Sequence, residues 1–137
     1  MNNLPIEKQT AIIAALTEGC SIRATERLTG VHRDTIMRLA VKIGEGCSKL
    51  HGGMLRDLQV GRIELDEIWG FVGKKQKKVV EGDSDMVGDQ YTFIALAGAA
   101  KAIITYRTGK RTRLNTEAFC DDLRARVVGQ PEISADG

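Results

Sequence analysis

The sequence predicts an α+β fold in two parts, a helical part followed by a sheet that carries one helix. Apolar residues recur at helical spacing before Gly61, and after it they alternate or run continuously as they do in strands. We therefore expect a boundary within residues 57–62, which divides the chain into a helical part, 1–60, and a strand-rich part, 61–137. A chain of 137 residues, 42% of them hydrophobic, is long enough for one ordinary domain or two small ones.

Composition excludes several classes of protein. No apolar run approaches the roughly 20 residues that span a bilayer, and the start MNNLPIEKQT lacks the pattern of a signal peptide, so we expect a cytoplasmic protein with no membrane contact. Cys20, Cys47 and Cys120 form no CxxC pair, which predicts neither a disulfide framework nor a zinc ribbon. The net charge is only +2, so a case for nucleic acid depends on where the basic residues lie.

Three helices are predicted in the first part. Pro5 suits a helix start and Gly19 a helix end, while Ser21 is a typical cap for a second helix that stops at Gly30. A tight turn, TGV, then leads into the third helix, HRDTIMRLAVKIG. Two helices, a glycine turn and a basic helix form a helix-turn-helix pattern. The residues expected to face inward are Ile12, Ile13, Leu16, Ile22, Leu28, Ile36, Leu39, Ala40 and Ile43.

The outward face of the third helix carries the first candidate functional residues, Arg33, Thr35, Arg38 and Lys42. Such a helix fits the major groove of DNA, where arginine bonds guanine edges and lysine neutralises phosphate. The alternative is a three-helix packing unit whose basic face is simply solvated. Glu26 favours that alternative, because such motifs often carry a small residue at its position.

Beyond the third helix, an apolar stripe continues through a glycine-bearing segment. Cys47, Leu50 and Met54 keep the helical spacing, which predicts a connector helix weakened by its glycines. Cys47 and His51 stand four residues apart and would share a helix face. Two such ligands without a second pair make a poor zinc site.

The segment IELDEIWGFV, residues 63–72, alternates like a strand and contains acids. Asp66 shares one face with Ile68, while Trp69 lies on the other face, where we expect it in the core; the alternative is a platform on which bases stack. An ionised carboxylate in a largely buried strand is costly unless a cation, a hydrogen-bond network or a metal ion pairs with it. The alternative is a half-wet sheet whose acids face water.

The remaining elements complete a βββαβ order. The runs QYTFIALA and AIITY predict two more strands of an antiparallel meander, and Asn115 or Thr116 is expected to cap a helix. The fourth strand, in EISADG, ends with Asp136. One aspartate therefore lies inside the first strand and another at the end of the fourth. The buried stripe predicted for the helix is Ala118, Phe119, Leu123 and Val127.

That order, together with the stretches LDEIWGFVGKKQKK, GDQYTFIAL, GKRT and ISADG, resembles the catalytic half of bacterial insertion-sequence DDE transposases, which have an RNase H-like core. The resemblance implies that Asp66 and Asp136 are the first two acids of a catalytic triad and jointly hold Mg²⁺ or Mn²⁺. It also implies that the partners are DNA, as transposon ends and target, and further copies of the chain assembled on that DNA. Cleavage and strand transfer then proceed by attack of water and of a 3′-hydroxyl.

One feature leaves the activity open. The third acid of the family, a glutamate well downstream of the second aspartate, has no counterpart before Gly137, so we expect a truncated RNase H-like core with incomplete catalysis. Glu117, Asp121 and Asp122 lie on the helix before Asp136, and we expect them to be solvated. The alternative is a catalytically inactive DNA-binding protein, or an inhibitor of the full-length transposase.

The lysines of GKKQKK, among them Lys74 and Lys75, are expected to contact the DNA backbone or to form a solvated hairpin tip.

Overall fold

The computed structural model describes residues 4–135 and has an α+β fold, as predicted. It divides into two compact units between Met54 and Leu55, slightly before the range 57–62 that the sequence pattern indicates. We call them the helical unit and the sheet unit. Among the described helices, none combines the length and the apolar character needed to cross a bilayer.

The helical unit contains α1 (Ile6–Thr17), α2 (Ile22–Thr29) and α3 (Arg33–Met54). The predicted caps are confirmed. The Ser21 hydroxyl accepts a hydrogen bond of 3.2 Å from a backbone amide in the first turn of α2, and Gly30 ends that helix in the left-handed conformation, with φ of 69°. Local cap chemistry therefore sets the turn between α2 and α3.

The core of the helical unit combines aliphatic and hydroxyl side chains. Ile12 and Ile36 are fully buried, as predicted, and Thr25 and Thr29 are buried beside them. Each threonine hydroxyl donates to the carbonyl four residues earlier, at 3.0 and 2.8 Å, so burial leaves no unsatisfied donor. The prediction that Leu28 is buried is wrong, because this side chain is 71% exposed and the threonines occupy the inner face instead.

Helix α3 continues without interruption through the predicted connector as far as Met54. Ile36, in its first half, packs in the core, whereas Cys47, Leu50 and Met54 in its second half are exposed. The apolar stripe therefore persists in sequence beyond the part of α3 that is buried.

The sheet unit contains six strands and one helix within the described residues. Their bounds are β1 Leu58–Gln59, β2 Arg62–Val72, β3 Gly88–Ala97, β4 Ala102–Gly109, α4 Arg113–Arg126, β5 Val127–Val128 and β6 Glu132–Ala135. Four strands form a sheet with the order β4-β3-β2-β6. Strand β2 pairs antiparallel with β3 and parallel with β6, and β3 pairs antiparallel with β4. A second, two-stranded parallel sheet joins β1 to β5, which the sequence pattern does not predict.

Helix α4 covers one end of the sheet. Its Phe119 and Leu123 form a buried cluster with Ile63 and Ile104 of the strands, together with two alanines of β3. Trp69 shares the strand face of Ile63 but lies roughly 20 Å further along β2, at about 3.3 Å per residue. It is 46% exposed, so the prediction that it lies in the core is wrong.

The start of α4 also differs from the prediction. Thr112, rather than Asn115 or Thr116, is the cap, and its hydroxyl accepts from the Asn115 amide at 3.3 Å. Asn115 lies in the first turn, where its side chain donates to the Lys110 carbonyl at 2.8 Å and accepts from Arg107 at 3.1 Å. Its role is to hold the preceding loop.

Candidate functional site

The basic face of α3 is exposed, and most of its predicted residues lie together. At roughly 100° per residue, Thr35, Arg38 and Lys42 fall within an arc of about 60° that points away from buried Ile36. The Arg38 guanidinium donates to the Thr35 hydroxyl at 3.4 Å. Arg33 is exposed too, but it is the first residue of α3 and projects to another side.

The N-terminus of α3 is capped by a residue that the sequence pattern treats as a departure. The Glu26 carboxylate accepts a hydrogen bond of 2.9 Å from the Arg33 amide, and the His32 ring accepts from the Asp34 amide at 3.3 Å. A carboxylate at this end of a helix also interacts favourably with the helix dipole. Glu26 therefore fixes the start of α3 against α2, a structural reason for an acid at this position.

Asp66 lies in the middle of the sheet, on β2 between β3 and β6. It is directly opposite Ile94 of β3, and on the other side the last described pair of the ladder joins Leu65 to Ala135. The Asp66 side chain is exposed, and one carboxylate oxygen accepts from the Glu67 amide at 2.7 Å. None of the ion pairs within residues 4–135 includes Asp66. Within residues 4–135, the Glu67 amide is the one hydrogen-bond donor described for this carboxylate.

Two depressions meet at Asp66. One lies on the face that α4 covers, and Glu67 forms an ion pair of 3.3 Å with Arg111 there. The other lies on the opposite face of the sheet, next to the end of β6. The other residues lining the first include Phe93, Phe119, Cys120 and Ala135. Those lining the second include Glu64, Ile94, Leu96, Ile103 and Ser134.

The described residues supply only part of the predicted metal site. Asp136, the second predicted acid, lies outside them. Between residues 4 and 135 no three side chains of histidine, cysteine, aspartate or glutamate come together as metal ligands, so Cys47 and His51 gain no third ligand within that range. The donor of Asp66 is a carboxylate oxygen, the hard ligand that Mg²⁺ and Mn²⁺ prefer.

The acids of α4 do not converge on Asp66. Glu117 pairs with Arg113 at 2.6 Å on the surface. Asp122 accepts hydrogen bonds from the Thr105 hydroxyl and, at 2.7 Å, from Arg126. Partial burial opposes ionisation of Asp122, but these two donors outweigh it and hold the pKa of the carboxyl below its ordinary value. The expectation that Asp122 is merely solvated is wrong.

Arg126 is the most deeply buried partner of this network. Its side chain is 9% exposed, and it also donates to the Leu55 carbonyl at 3.2 Å, 71 positions earlier in the chain. The spacing of Asp122 and Arg126 by four residues on a helix is a signal that the sequence offers. Nothing local in the sequence indicates the contacts with Thr105 and Leu55.

The two predicted lysines of the basic loop make contacts with the protein itself. Lys74 forms an ion pair of 2.6 Å with Asp83, and the hydrogen bond from Lys74 holds the pKa of Asp83 below its ordinary value. The Lys75 ammonium lies 5.3 Å from the centre of the Trp69 ring. The same loop also carries two exposed lysines that take part in none of the described ion pairs, Lys77 and Lys78.

A glycine at the start of β3 allows this loop to dock. Gln76 donates its amide to the Asp89 carboxylate at 3.0 Å, and its side-chain oxygen accepts from the Asp89 amide at 3.3 Å and from Lys110 at 3.2 Å. Gly88 has φ of 102°, and a Cβ there would collide with the Gln76 side chain and come within 2.9 Å of the Lys110 nitrogen. A glycine is therefore required for the loop and strand to approach so closely.

No protein-family model matches this chain, and no curated protein matches it either. The chemistry of the site is therefore that of its own side chains: one exposed carboxylate in the centre of a mixed sheet, and a helix with exposed cations.

Proposed function

We propose that this chain is part of a DDE-type insertion-sequence transposase. In this proposal the helical unit is a helix-turn-helix that binds DNA, and the sheet unit is the first part of an RNase H-like catalytic core. The observation that carries the proposal is the pairing of β2 with β6. Leu65 and Ala135 are paired neighbours, and each immediately precedes one of the two predicted catalytic aspartates in the sequence. This pairing supports assigning Asp66 and Asp136 to one site.

The two aspartates would hold Mg²⁺ or Mn²⁺, which activates the attacking hydroxyl and stabilises the leaving oxygen when DNA is cut or joined. The chain's own contribution is to position the ligand. The Glu67 amide orients one oxygen of the exposed Asp66 carboxylate. Strand β2, held on both sides by neighbours, fixes the backbone beneath it. No protein nucleophile is required.

The helical unit would place α3 in the major groove. Arg38 and Lys42 project from its exposed face, with Thr35 one turn before Arg38, which suits contacts with base edges and phosphates. Glu26 holds the start of the helix, so these side chains project from a fixed backbone.

A nicking assay tests the catalytic part of the proposal. The full chain is incubated with a supercoiled plasmid and Mg²⁺, and Asp66→Asn is compared with Glu64→Gln, which changes an acid on the same face of the same strand. We expect Asp66→Asn to abolish metal-dependent nicking and Glu64→Gln to retain it, while both variants bind duplex DNA like the wild type. Nicking that survives in Asp66→Asn excludes Asp66 as an essential ligand.

A second candidate is a DNA-binding protein without catalysis, which would inhibit an active transposase by occupying its sites. The observation that favours it is the state of the α4 acids: Glu117 is paired with Arg113, and Asp122 is bonded to Arg126, so neither supplies a third ligand near Asp66. A wild-type chain that binds duplex DNA but does not nick it with either metal ion identifies this second function.

A further inference from the structure

A group of aromatic rings remains exposed where the sheet extends beyond α4. Trp69 is 46% exposed and Phe71 is 49% exposed, and the half-buried Tyr91 lies directly across from Trp69 in the ladder between β2 and β3. Two cationic side chains, Lys75 and Arg111, stand against these rings. We call these five residues the aromatic strip.

The rings of the aromatic strip share one face of the sheet. The centres of the Trp69 and Phe71 rings are 5.9 Å apart, with their planes inclined by 42°. Tyr91 continues the row toward Phe93, with ring centres 6.4 Å apart and planes inclined by 25°. Side chains two apart on a strand point to the same face, so the pleat of β2 and β3 creates this row.

Cations accompany the rings. The Lys75 nitrogen is 5.3 Å from the centre of the Trp69 ring, and the Arg111 guanidinium carbon is 5.7 Å from that of Tyr91. Arg111 shares its charge with Glu67. Lys75 has no carboxylate partner among the ion pairs of residues 4–135. The strip thus combines flat aromatic surfaces with positive charge over two of the rings.

We propose that the aromatic strip binds single-stranded DNA, with bases stacked on the rings and phosphates beside Lys75 and Arg111. Proteins that bind single strands combine stacking rings with cations along the backbone path, because every base has a face that can stack. This inference deepens the proposed function, on which it rests for the identity of the nucleic acid as DNA.

The strip borders a depression that includes part of Asp66. Arg111 lines that depression and also stands over Tyr91, so one side chain belongs to both. The Asp66 side chain itself projects from the opposite face of β2, as Ile68 does, so the strip and the Asp66 carboxylate lie on opposite faces of the same strand.

Trp69 is the single tryptophan of the chain, so its fluorescence reports directly on stacking. The full chain is titrated with short oligodeoxythymidine and with an abasic oligomer of the same length and charge. We expect oligodeoxythymidine to quench Trp69 and the abasic oligomer to leave it nearly unchanged. By anisotropy of a labelled oligomer, Trp69→Ala should bind about 5- to 140-fold more weakly, as expected for the loss of one stacked base.

Two variants keep the test specific. Trp69→Phe keeps an aromatic ring and should retain most of the affinity for oligodeoxythymidine. Ile68→Ala removes an exposed apolar side chain from the other face of the same strand and should bind like the wild type. Equal loss in Ile68→Ala and Trp69→Ala overturns the inference, because it makes the effect a general disturbance of β2.

Other results would also overturn it. Equal binding of the abasic oligomer shows that only phosphates are contacted, and equal or tighter binding of oligouridine assigns the strip to RNA. Quenching that depends on protein concentration without any DNA identifies a protein contact. If the wild-type chain binds and nicks duplex DNA but does not bind oligodeoxythymidine, the inference about the strip is refuted and the proposed function is not. If the wild-type chain neither binds nor nicks duplex DNA but oligodeoxythymidine quenches Trp69, the proposed function is refuted and the inference about the strip is not.

Discussion

Helix α4 contains two arginine–carboxylate pairs that form a natural comparison of buried and exposed ion pairs. Arg113 and Glu117 are 2.6 Å apart, Asp122 and Arg126 are 2.7 Å apart, and each pair spans four residues. The arginine side chain is 89% exposed in the first pair and 9% exposed in the second. We predict that Arg126→Met destabilises the sheet unit much more than Arg113→Met does.

The magnitude follows from the contacts of Arg126. It bonds the Asp122 carboxylate and the Leu55 carbonyl. A hydrogen bond to a charged group contributes about 1.5–3 kcal/mol and a neutral one about 0.5–1.5 kcal/mol. Asp122 is 37% exposed and keeps its bond from Thr105, so solvent screens the charge left behind, and we expect a loss of about 2 kcal/mol. Arg113→Met should change stability by less than about 0.5 kcal/mol.

Urea denaturation followed by the fluorescence of Trp69, which lies in the sheet, measures both variants. The midpoint should fall for Arg126→Met with an unchanged slope, because the surface exposed on unfolding stays the same. The double variant Asp122→Asn/Arg126→Met should lose less than the sum of the two single variants, since the two residues interact. Equal small losses in Arg126→Met and Arg113→Met would refute the reasoning that burial makes this pair important.

Three further predictions address pH, the basic loop and DNA. The pKa of Asp122 is lowered from its ordinary value of 3.8. The stability that the ionised carboxylate contributes is therefore complete above that pH and is lost as the pH falls through the lower pKa of the folded state. The urea midpoints of the wild type and Asp122→Asn should converge in acid, and a difference that stays constant with pH contradicts this. Gly88→Ala should cost about 1–3 kcal/mol in urea denaturation, because alanine is strained at φ of 102° and its Cβ displaces Gln76. Arg38→Ala should weaken duplex binding by about 1–3 kcal/mol if the arginine contacts a base. Arg124→Ala makes the same change of charge in the sheet unit and should leave duplex binding unchanged. An unchanged affinity of Arg38→Ala, measured by the anisotropy of a labelled duplex, counts against α3 as the helix that contacts the bases.

The elements governed by local chemistry were predictable from the sequence. Ser21 and Gly30 define the ends of α2 because a cap needs only its own hydroxyl or its own conformational freedom. The alternation of residues 63–72 predicts β2 because side-chain direction along a strand has a fixed period of two. The α+β class follows from these local signals.

Errors arose where a partner is distant in sequence or where hydrophobicity alone was used. Trp69 was expected in the core because it is large and apolar, but α4 ends its coverage of the sheet before reaching it. Leu28 was expected to be buried, but threonines that satisfy their own hydroxyls took the inner face. Asp122 was expected to be solvated. Its sequence neighbours do not indicate the bond from Thr105, because that bond forms only when α4 packs on β4.

The capping of α3 by Glu26 determines which part of that helix is available to an anion. A helix start normally offers free amides to phosphate, but here a carboxylate from the same bundle already occupies the Arg33 amide. If α3 binds DNA as proposed, a phosphate would have to displace this carboxylate, so DNA contacts would fall to side chains such as Arg38 and Lys42, each contributing about −0.9 to the salt slope per phosphate neutralised. Recognition would then depend on replaceable side chains rather than on the backbone. Under the proposal, sequence preference could evolve by single substitutions on α3 while the fold stays intact.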